Sequence, residues 1–127
     1  VQDATVPRAK LPEVLSRIAD IGTRYKLNIA NVFHAGDGNL HPNILFDRHD
    51  ADELERVERA SKEIMVLCVE VGGTITGEHG VGVDKREYMP LVHEPIELAA
   101  MAAAKAVFDP DSLFNPGKVL PDVEETS

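Results

Sequence analysis

Apolar residues that recur at helical spacing predict three helices along the chain. The first is predicted over residues 12–26, where a proline occupies a first helical position. The second is predicted over residues 52–71 and the third, which is rich in alanine, over residues 95–108. The apolar stripes of the first two helices comprise Val14, Leu15, Ile18, Ile21 and Tyr25, and Val57, Ile64, Leu67 and Val71.

Alternating polar and apolar residues predict strands between these helices. Residues 28–34 and 40–47 alternate, and the glycine-rich residues 35–39 between them predict a hairpin turn. Short runs at residues 3–6 and 74–76 predict two further strands, the first of them an edge strand because a proline follows it. The resulting order is strand, helix, strand, strand, helix, strand. It predicts an α+β fold, a ferredoxin-like antiparallel sheet with helices on one face, followed by a C-terminal helical segment.

Charge and cysteine content exclude several classes of function. The 127 residues carry 13 Lys and Arg against 22 Asp and Glu, a net charge of −9, which argues against binding to nucleic acid or anionic lipid. Cys68 is the only cysteine, so neither a disulfide framework nor a Cys-based zinc finger can form, and a cytoplasmic location is expected. No apolar run approaches the roughly 20 residues of a transmembrane helix.

The two ends of the sequence carry their own expectations. The chain begins Val-Gln-Asp without an initiator methionine or a signal peptide, which predicts a piece of a longer protein. Residues 121–127 are acidic and are expected to be a disordered tail.

Candidate chemistry is concentrated in two glycine-rich segments, residues 36–38 and 72–82, which hold seven of the nine glycines. His34 and His41 flank the six residues from Ala35 to Leu40, and with that turn they are expected to stand opposite one another, about 5 Å apart at Cβ, where they could share one metal ion. Strand alternation places Asn43 on the same face.

Glu78, in the second segment, is the best candidate for a third ligand. Two histidines and one glutamate with an open fourth position are typical of a catalytic zinc site. In an extended backbone the adjacent His79 would point elsewhere and be free to act as a general base. Cross-strand packing of the two histidines, and a turn role for Glu78 and His79, explain the same residues without a metal.

Three motifs carry a resemblance to a known family. They are residues 33–43 (FHAGDGNLHPN), 74–82 (TITGEHGVG) and 113–118 (LFNPGK). In this order and spacing, the chain resembles the C-terminal part of FAD-linked 2-hydroxy-acid dehydrogenases, flavoproteins of the vanillyl-alcohol-oxidase class. The resemblance covers nearly all of the chain, which lacks the FAD-binding domain of that family.

The resemblance implies a role for each residue of the motifs. His34, His41 and Glu78 would bind a divalent metal, zinc or manganese. His79 would take the hydroxyl proton of a glycolate- or D-lactate-type substrate while the hydride passes to FAD, and Asn43 would help to hold that substrate.

The last motif implies contact with the flavin through Asn115 and Lys118. The implied partners are the 2-hydroxy acid, the protein's own FAD-binding domain, and other oxidase subunits or an electron acceptor. Alone, the chain is expected to be inactive. Two alternatives remain open from the residues themselves: a zinc-dependent hydrolase, and a non-catalytic ferredoxin-like module that binds a metal or a partner.

Overall fold

The computed structural model describes residues 2–121, which form two compact units, one ending at His79 and one beginning at Gly80. Residues 122–127 of the predicted tail lie outside the described residues. The first unit comprises β1 (Ala4–Thr5), a 3-10 turn (Arg8–Lys10), α1 (Leu11–Tyr25), β2 (Asn28–His34), β3 (Asn39–Leu45) and α2 (Ala51–Glu70). The second comprises a 3-10 helix (Arg86–Leu91) and α3 (Pro95–Phe108).

The three strands form an antiparallel sheet in the order β1-β3-β2, and α1 and α2 pack against each other and against the strands. On the other side of β1, Thr5 forms an isolated antiparallel bridge with Thr74. This is the ferredoxin-like order with its fourth strand reduced to one bridge. The α+β fold is therefore confirmed, whereas the predicted strand over residues 74–76 was wrong. β1 lies at the edge of the three-stranded sheet, as predicted, and its outer side carries only the single bridge to Thr74.

The hairpin register differs from the expected one. β3 begins at Asn39, which pairs with His34, and His41 pairs with Val32. The loop therefore has four residues, 35–38, instead of six, because the backbone N–H groups of Asp37 and Gly38 both donate to the carbonyl of His34. His34 and His41 are consequently diagonal neighbours on one face of the sheet, and not directly opposite each other.

Local signals set the ends of the two long helices close to their predicted positions. The Asp50 side chain caps α2 by accepting hydrogen bonds from the backbone N–H groups of Asp52 and Glu53 at 3.0 and 3.1 Å. α1 ends at Tyr25, and Lys26 follows in the left-handed conformation with φ 54°. The apolar stripes are buried as expected at Val14, Ile18, Ile21, Val57, Ile64 and Leu67.

Cys68 lies on the buried side of α2, where it is fully inaccessible to solvent. Burial raises the pKa of its thiol to about 12, so almost no thiolate forms at mildly alkaline pH. We expect Ellman's reagent to leave the folded chain unlabelled over minutes and to titrate one thiol per chain in concentrated guanidinium chloride. Equal labelling rates in the two conditions would contradict this packing.

The second unit is built around α3, which begins with a capping box between Glu94 and Glu97. At its C-terminal end the buried carboxylate of Asp109 contacts Lys105 and accepts hydrogen bonds from the N–H groups of Leu113 and Phe114. No residue of α3 is buried. Among residues 2–121, no helix has the length and apolarity required to cross a bilayer.

Candidate functional site

The sheet presents the two predicted histidines on one face. The ring centroids of His34 and His41 lie 5.5 Å apart with their planes at 88°. His34 is exposed, whereas His41 is 7% exposed. A diagonal pair on one face still lets both imidazoles reach a common point, so the changed register does not separate them.

The segment after α2 brings Glu78 to the same place. Glu78 Oε1 lies 3.1 Å from His41 Nε2, and one potential ligand atom each from His34, His41 and Glu78 all lie within 4.8 Å of one another. The structure thus brings together the three residues that were predicted as metal ligands.

His79 is not directed away from this cluster as an extended backbone would require. Its ring stacks on that of His41, with centroids 5.1 Å apart and planes at 20°, and its Nε2 lies 3.6 Å from Glu78 Oε1. The predicted orientation was wrong because the backbone of residues 77–79 is turned toward the carboxylate of Asp3. About half of the His79 side chain is still exposed, at 51%.

Asp3 is the residue that the sequence analysis missed. Its fully buried carboxylate accepts four hydrogen bonds at Oδ2, of 2.7–3.1 Å, while Oδ1 lies 3.9 Å from His41 Nδ1. The donors at Oδ2 are Thr76 Oγ1 and the backbone N–H groups of Gly77, Glu78 and His79. Burial alone would raise the pKa of Asp3, but these hydrogen bonds outweigh it and hold the pKa well below its usual range.

A sequence signal for Asp3 was present in the strand pairing. Ala4 pairs with Leu40 and Thr5 with Asn39, so continuing this register places Asp3 beside His41. Side chains that are paired across antiparallel strands share a face. A predicted pairing of the first strand with the hairpin would therefore have placed a carboxylate beside the buried histidine.

Gly77 allows the loop to approach the sheet closely. A Cβ at this position would lie 2.5 Å from Asn39 Oδ1 and 2.6 Å from Thr5 Oγ1, distances that no side chain tolerates. Asn39 is itself buried, and its Nδ2 lies 3.4 Å from His41 Nε2. The absence of a side chain at Gly77 thus lets the next residue, Glu78, reach the histidines.

Asn43 lies on the same face by strand alternation, paired with Ala30. Its Nδ2 donates a hydrogen bond to the backbone carbonyl of His41 at 3.1 Å, which leaves its side-chain oxygen available to another group. A shallow cavity of about 370 Å³ adjoins the cluster, and its lining residues are Thr5, His34, Asp37, Asn39, Gly77 and Glu78.

Asn115 and Lys118 lie in the second unit, after α3. Both line a cavity of about 420 Å³ together with Met101, Lys105, Phe114, Val119 and Leu120. Asn115 adopts a left-handed conformation with φ 46°.

Comparison with known proteins places the chain in a family. Residues 1–119 match the family described as FAD linked oxidases, C-terminal domain. The chain belongs to this family. It is 51% identical over 119 residues to the glycolate oxidase subunit GlcD of Escherichia coli K12 and 47% identical to that of Bacillus subtilis, in each case over 94% of the chain. It is 40% identical to the D-2-hydroxyglutarate dehydrogenase of Stutzerimonas stutzeri over 92% of the chain.

The chain covers only 24–26% of the length of these three relatives. The family membership confirms the resemblance drawn from the three motifs, and the motif over residues 113–118 lies within the matched region.

Proposed function

We propose that this chain is the metal- and substrate-binding C-terminal domain of a flavin-dependent enzyme that oxidises a 2-hydroxy acid, of glycolate or D-lactate type, to the 2-oxo acid. The observation that supports this most strongly is the convergence of His34, His41 and Glu78 beside an accessible His79. The names of the relatives, glycolate oxidase and D-2-hydroxyglutarate dehydrogenase, support the same substrate class.

The donor set fits a divalent cation. Tetrahedral bonds of about 2.1 Å from zinc to nitrogen or oxygen place neighbouring ligand atoms about 3.4 Å apart. The 3.1 Å between His41 Nε2 and Glu78 Oε1 is close to that value, and one ligand atom from each of the three residues lies within 4.8 Å of the other two. A cation between Nε2 and the Glu78 carboxylate needs an unprotonated Nε2, and Asn39 Nδ2, a donor 3.4 Å from that nitrogen, favours this state.

The residues of the cluster divide the chemistry between them. The metal would polarise the hydroxyl and carboxylate oxygens of the substrate. FAD supplies the acceptor for the hydride that leaves the α-carbon. His79 accepts the hydroxyl proton through a ring nitrogen, since it is the exposed imidazole beside the ligands. Asn43 presents its side-chain amide on the same face to hold the substrate.

The partner in this proposal is an FAD-binding domain, with further oxidase subunits or an electron acceptor. Its support is the one-quarter coverage of the relatives and the exposed apolar surface of the second unit, where Phe108 is 84% exposed. Such surface is typical of a docking face. Other exposed apolar side chains of the second unit are Ile96, Val107, Leu113 and Phe114. Asn115 and Lys118 would contact the flavin beside it, and the single buried thiol supports a cytoplasmic setting.

The proposal is tested by calorimetric titration of the purified chain with Zn²⁺ and with Mn²⁺, together with elemental analysis. We expect one ion per chain, and equal binding by His49→Ala, which removes an exposed histidine outside the cluster. D-lactate or glycolate should then bind only to the metal-loaded chain, whereas propionate or acetate, which lack the hydroxyl, should not.

Failure of both ions to bind would overturn the metal part of the proposal. Metal binding without discrimination between the hydroxy acids and their deoxy analogues would favour a module that binds metal only. Because the matched family is the C-terminal domain alone, we expect no turnover of D-lactate or glycolate by the chain with added FAD.

A further inference from the structure

Asp3 touches both parts of the candidate site, although it is not one of the three residues expected to bind the metal. One carboxylate oxygen, Oδ2, accepts hydrogen bonds from residues 76–79 of the loop, and the other, Oδ1, lies 3.9 Å from His41 Nδ1. His41 therefore lies between two carboxylates, with Asp3 on its Nδ1 side and Glu78 on its Nε2 side.

We propose that Asp3 is a positioning residue for the site, which holds His41 in the tautomer that presents Nε2 to a metal ion and fixes the loop over residues 77–79. This inference rests on the proposed metal site and adds to it a residue outside the proposed ligand set.

The tautomer follows from the two sides of the His41 ring. A neutral imidazole carries one proton, and an acceptor at one nitrogen favours the proton there. The Asp3 carboxylate is such an acceptor beside Nδ1, and at 3.9 Å it acts through its charge rather than through a formed hydrogen bond. Asn39 Nδ2 faces Nε2 as a donor, which favours the same state. Glu78 Oε1 is an acceptor on the Nε2 side at 3.1 Å, so the tautomer with the proton at Nδ1 is the expected one when a metal ion lies between Nε2 and Glu78, as in other metal-binding histidines whose second nitrogen faces a carboxylate.

The position of the loop follows from the other oxygen. Three successive backbone N–H groups, those of residues 77–79, converge on Asp3 Oδ2 at 2.9–3.1 Å. Backbone donors to a buried carboxylate hold the chain in one conformation, because each would otherwise be an unpaired polar group. The side chains of Glu78 and His79 start from this fixed backbone. The Asp3 carboxylate therefore fixes the position of His41 on β3 relative to Glu78 and His79 on the loop.

The first test determines the tautomer in the wild-type chain. In the Zn²⁺-loaded chain, long-range ¹H–¹⁵N spectra of the histidine rings report which nitrogen carries the proton and which binds the metal. We expect His41 to carry its proton at Nδ1, and assign its signal by its loss in His41→Ala. A His41 that binds zinc through Nδ1 and carries its proton at Nε2 would overturn the proposal.

The second test compares Asp3→Asn with Asp109→Asn. Asp109 is a matched control, since it is also a buried carboxylate that accepts backbone hydrogen bonds, but it belongs to the second unit. We expect Asp3→Asn to shift the His41 tautomer and to weaken Zn²⁺ binding about 10–100-fold. Asp109→Asn should leave both unchanged. Unchanged tautomer and affinity in a folded Asp3→Asn chain would contradict the proposal.

The two proposals fail in distinguishable ways. If the wild-type chain binds neither Zn²⁺ nor Mn²⁺, the metal site is wrong, yet hydrogen exchange still tests the role of Asp3 in the loop: the amides of residues 77–79 should exchange faster in Asp3→Asn and not in Asp109→Asn. If metal binds tightly and the tautomer is the opposite one, the metal site stands and the positioning role falls.

Discussion

Replacing His41 with alanine is expected to abolish divalent metal binding by the chain. His41 is at the centre of the cluster: its Nε2 lies 3.1 Å from Glu78, and its ring contacts both His34 and His79. Loss of a residue that only orients a metal ligand weakens binding about 10–100-fold, and loss of the ligand itself should exceed the upper end of that range. Calorimetry with Zn²⁺ should therefore show no saturable binding at concentrations that saturate the wild-type chain.

The control must separate the lost ligand from a lost fold. His41 is nearly buried, so its removal also leaves a small cavity beneath the loop. Glu78→Gln is the companion variant, because it changes a half-exposed side chain without changing its shape, and it should also lose the metal. The far-ultraviolet circular dichroism of both variants should match that of the wild type. Wild-type Zn²⁺ affinity in either folded variant would contradict the proposed ligand set.

Much of the fold follows from local signals in the sequence. The helices over residues 11–25 and 51–70 begin and end within one residue of their predicted bounds, and the third matches residues 95–108. The signals that predict these bounds each lie within one or two turns of the helix. They are the apolar periodicity, a proline near the start of α1 and the Asp50 cap of α2. The ferredoxin-like order then follows from the sequence of elements.

The errors arose where non-local contacts decide the structure. Thr74 pairs with Thr5, but Thr76 and the following loop donate to Asp3 instead of continuing a strand. Asp3 lies 73 residues from Thr76 along the chain, so no local pattern shows that a carboxylate will turn this segment. The hydrogen bonds to Asp3 also direct the His79 side chain toward the cluster. The candidate residues could be found from spacing and resemblance, whereas their mutual geometry depends on these long-range hydrogen bonds.

The hairpin register is a second case, and it depends on one glycine. Gly38 has a positive φ of 73° and donates its N–H to the carbonyl of His34, which closes the four-residue loop. The sequence shows that a turn is present, but a loop of four or six residues satisfies the same alternation. A shift in the register between β2 and β3 changes the residue that lies opposite each histidine.

Replacing Gly38 with alanine is therefore expected to destabilise the fold strongly. A Cβ at Gly38 would lie 2.1 Å from the carbonyl oxygen of Val6, the residue after β1, and the residue would still need its left-handed conformation. The conformation costs about 1–2 kcal/mol for alanine, and overpacking typically adds about 1–3 kcal/mol. We expect the free energy of unfolding to fall by about 2–5 kcal/mol in urea titrations, a large share of the stability of a small domain.

Gly36→Ala is the matched control within the same loop. A Cβ at Gly36 meets no atom within 4 Å, so its free energy of unfolding should change by less than about 0.5 kcal/mol. Gly38 also joins β1 to the hairpin, because its carbonyl accepts the N–H of Val6 at 3.0 Å. Any Gly38→Ala chain that remains folded should then bind Zn²⁺ more weakly, since displacement of β1 moves Asp3 away from His41. Equal stability of the two alanine variants would show that the loop does not require a left-handed residue at Gly38.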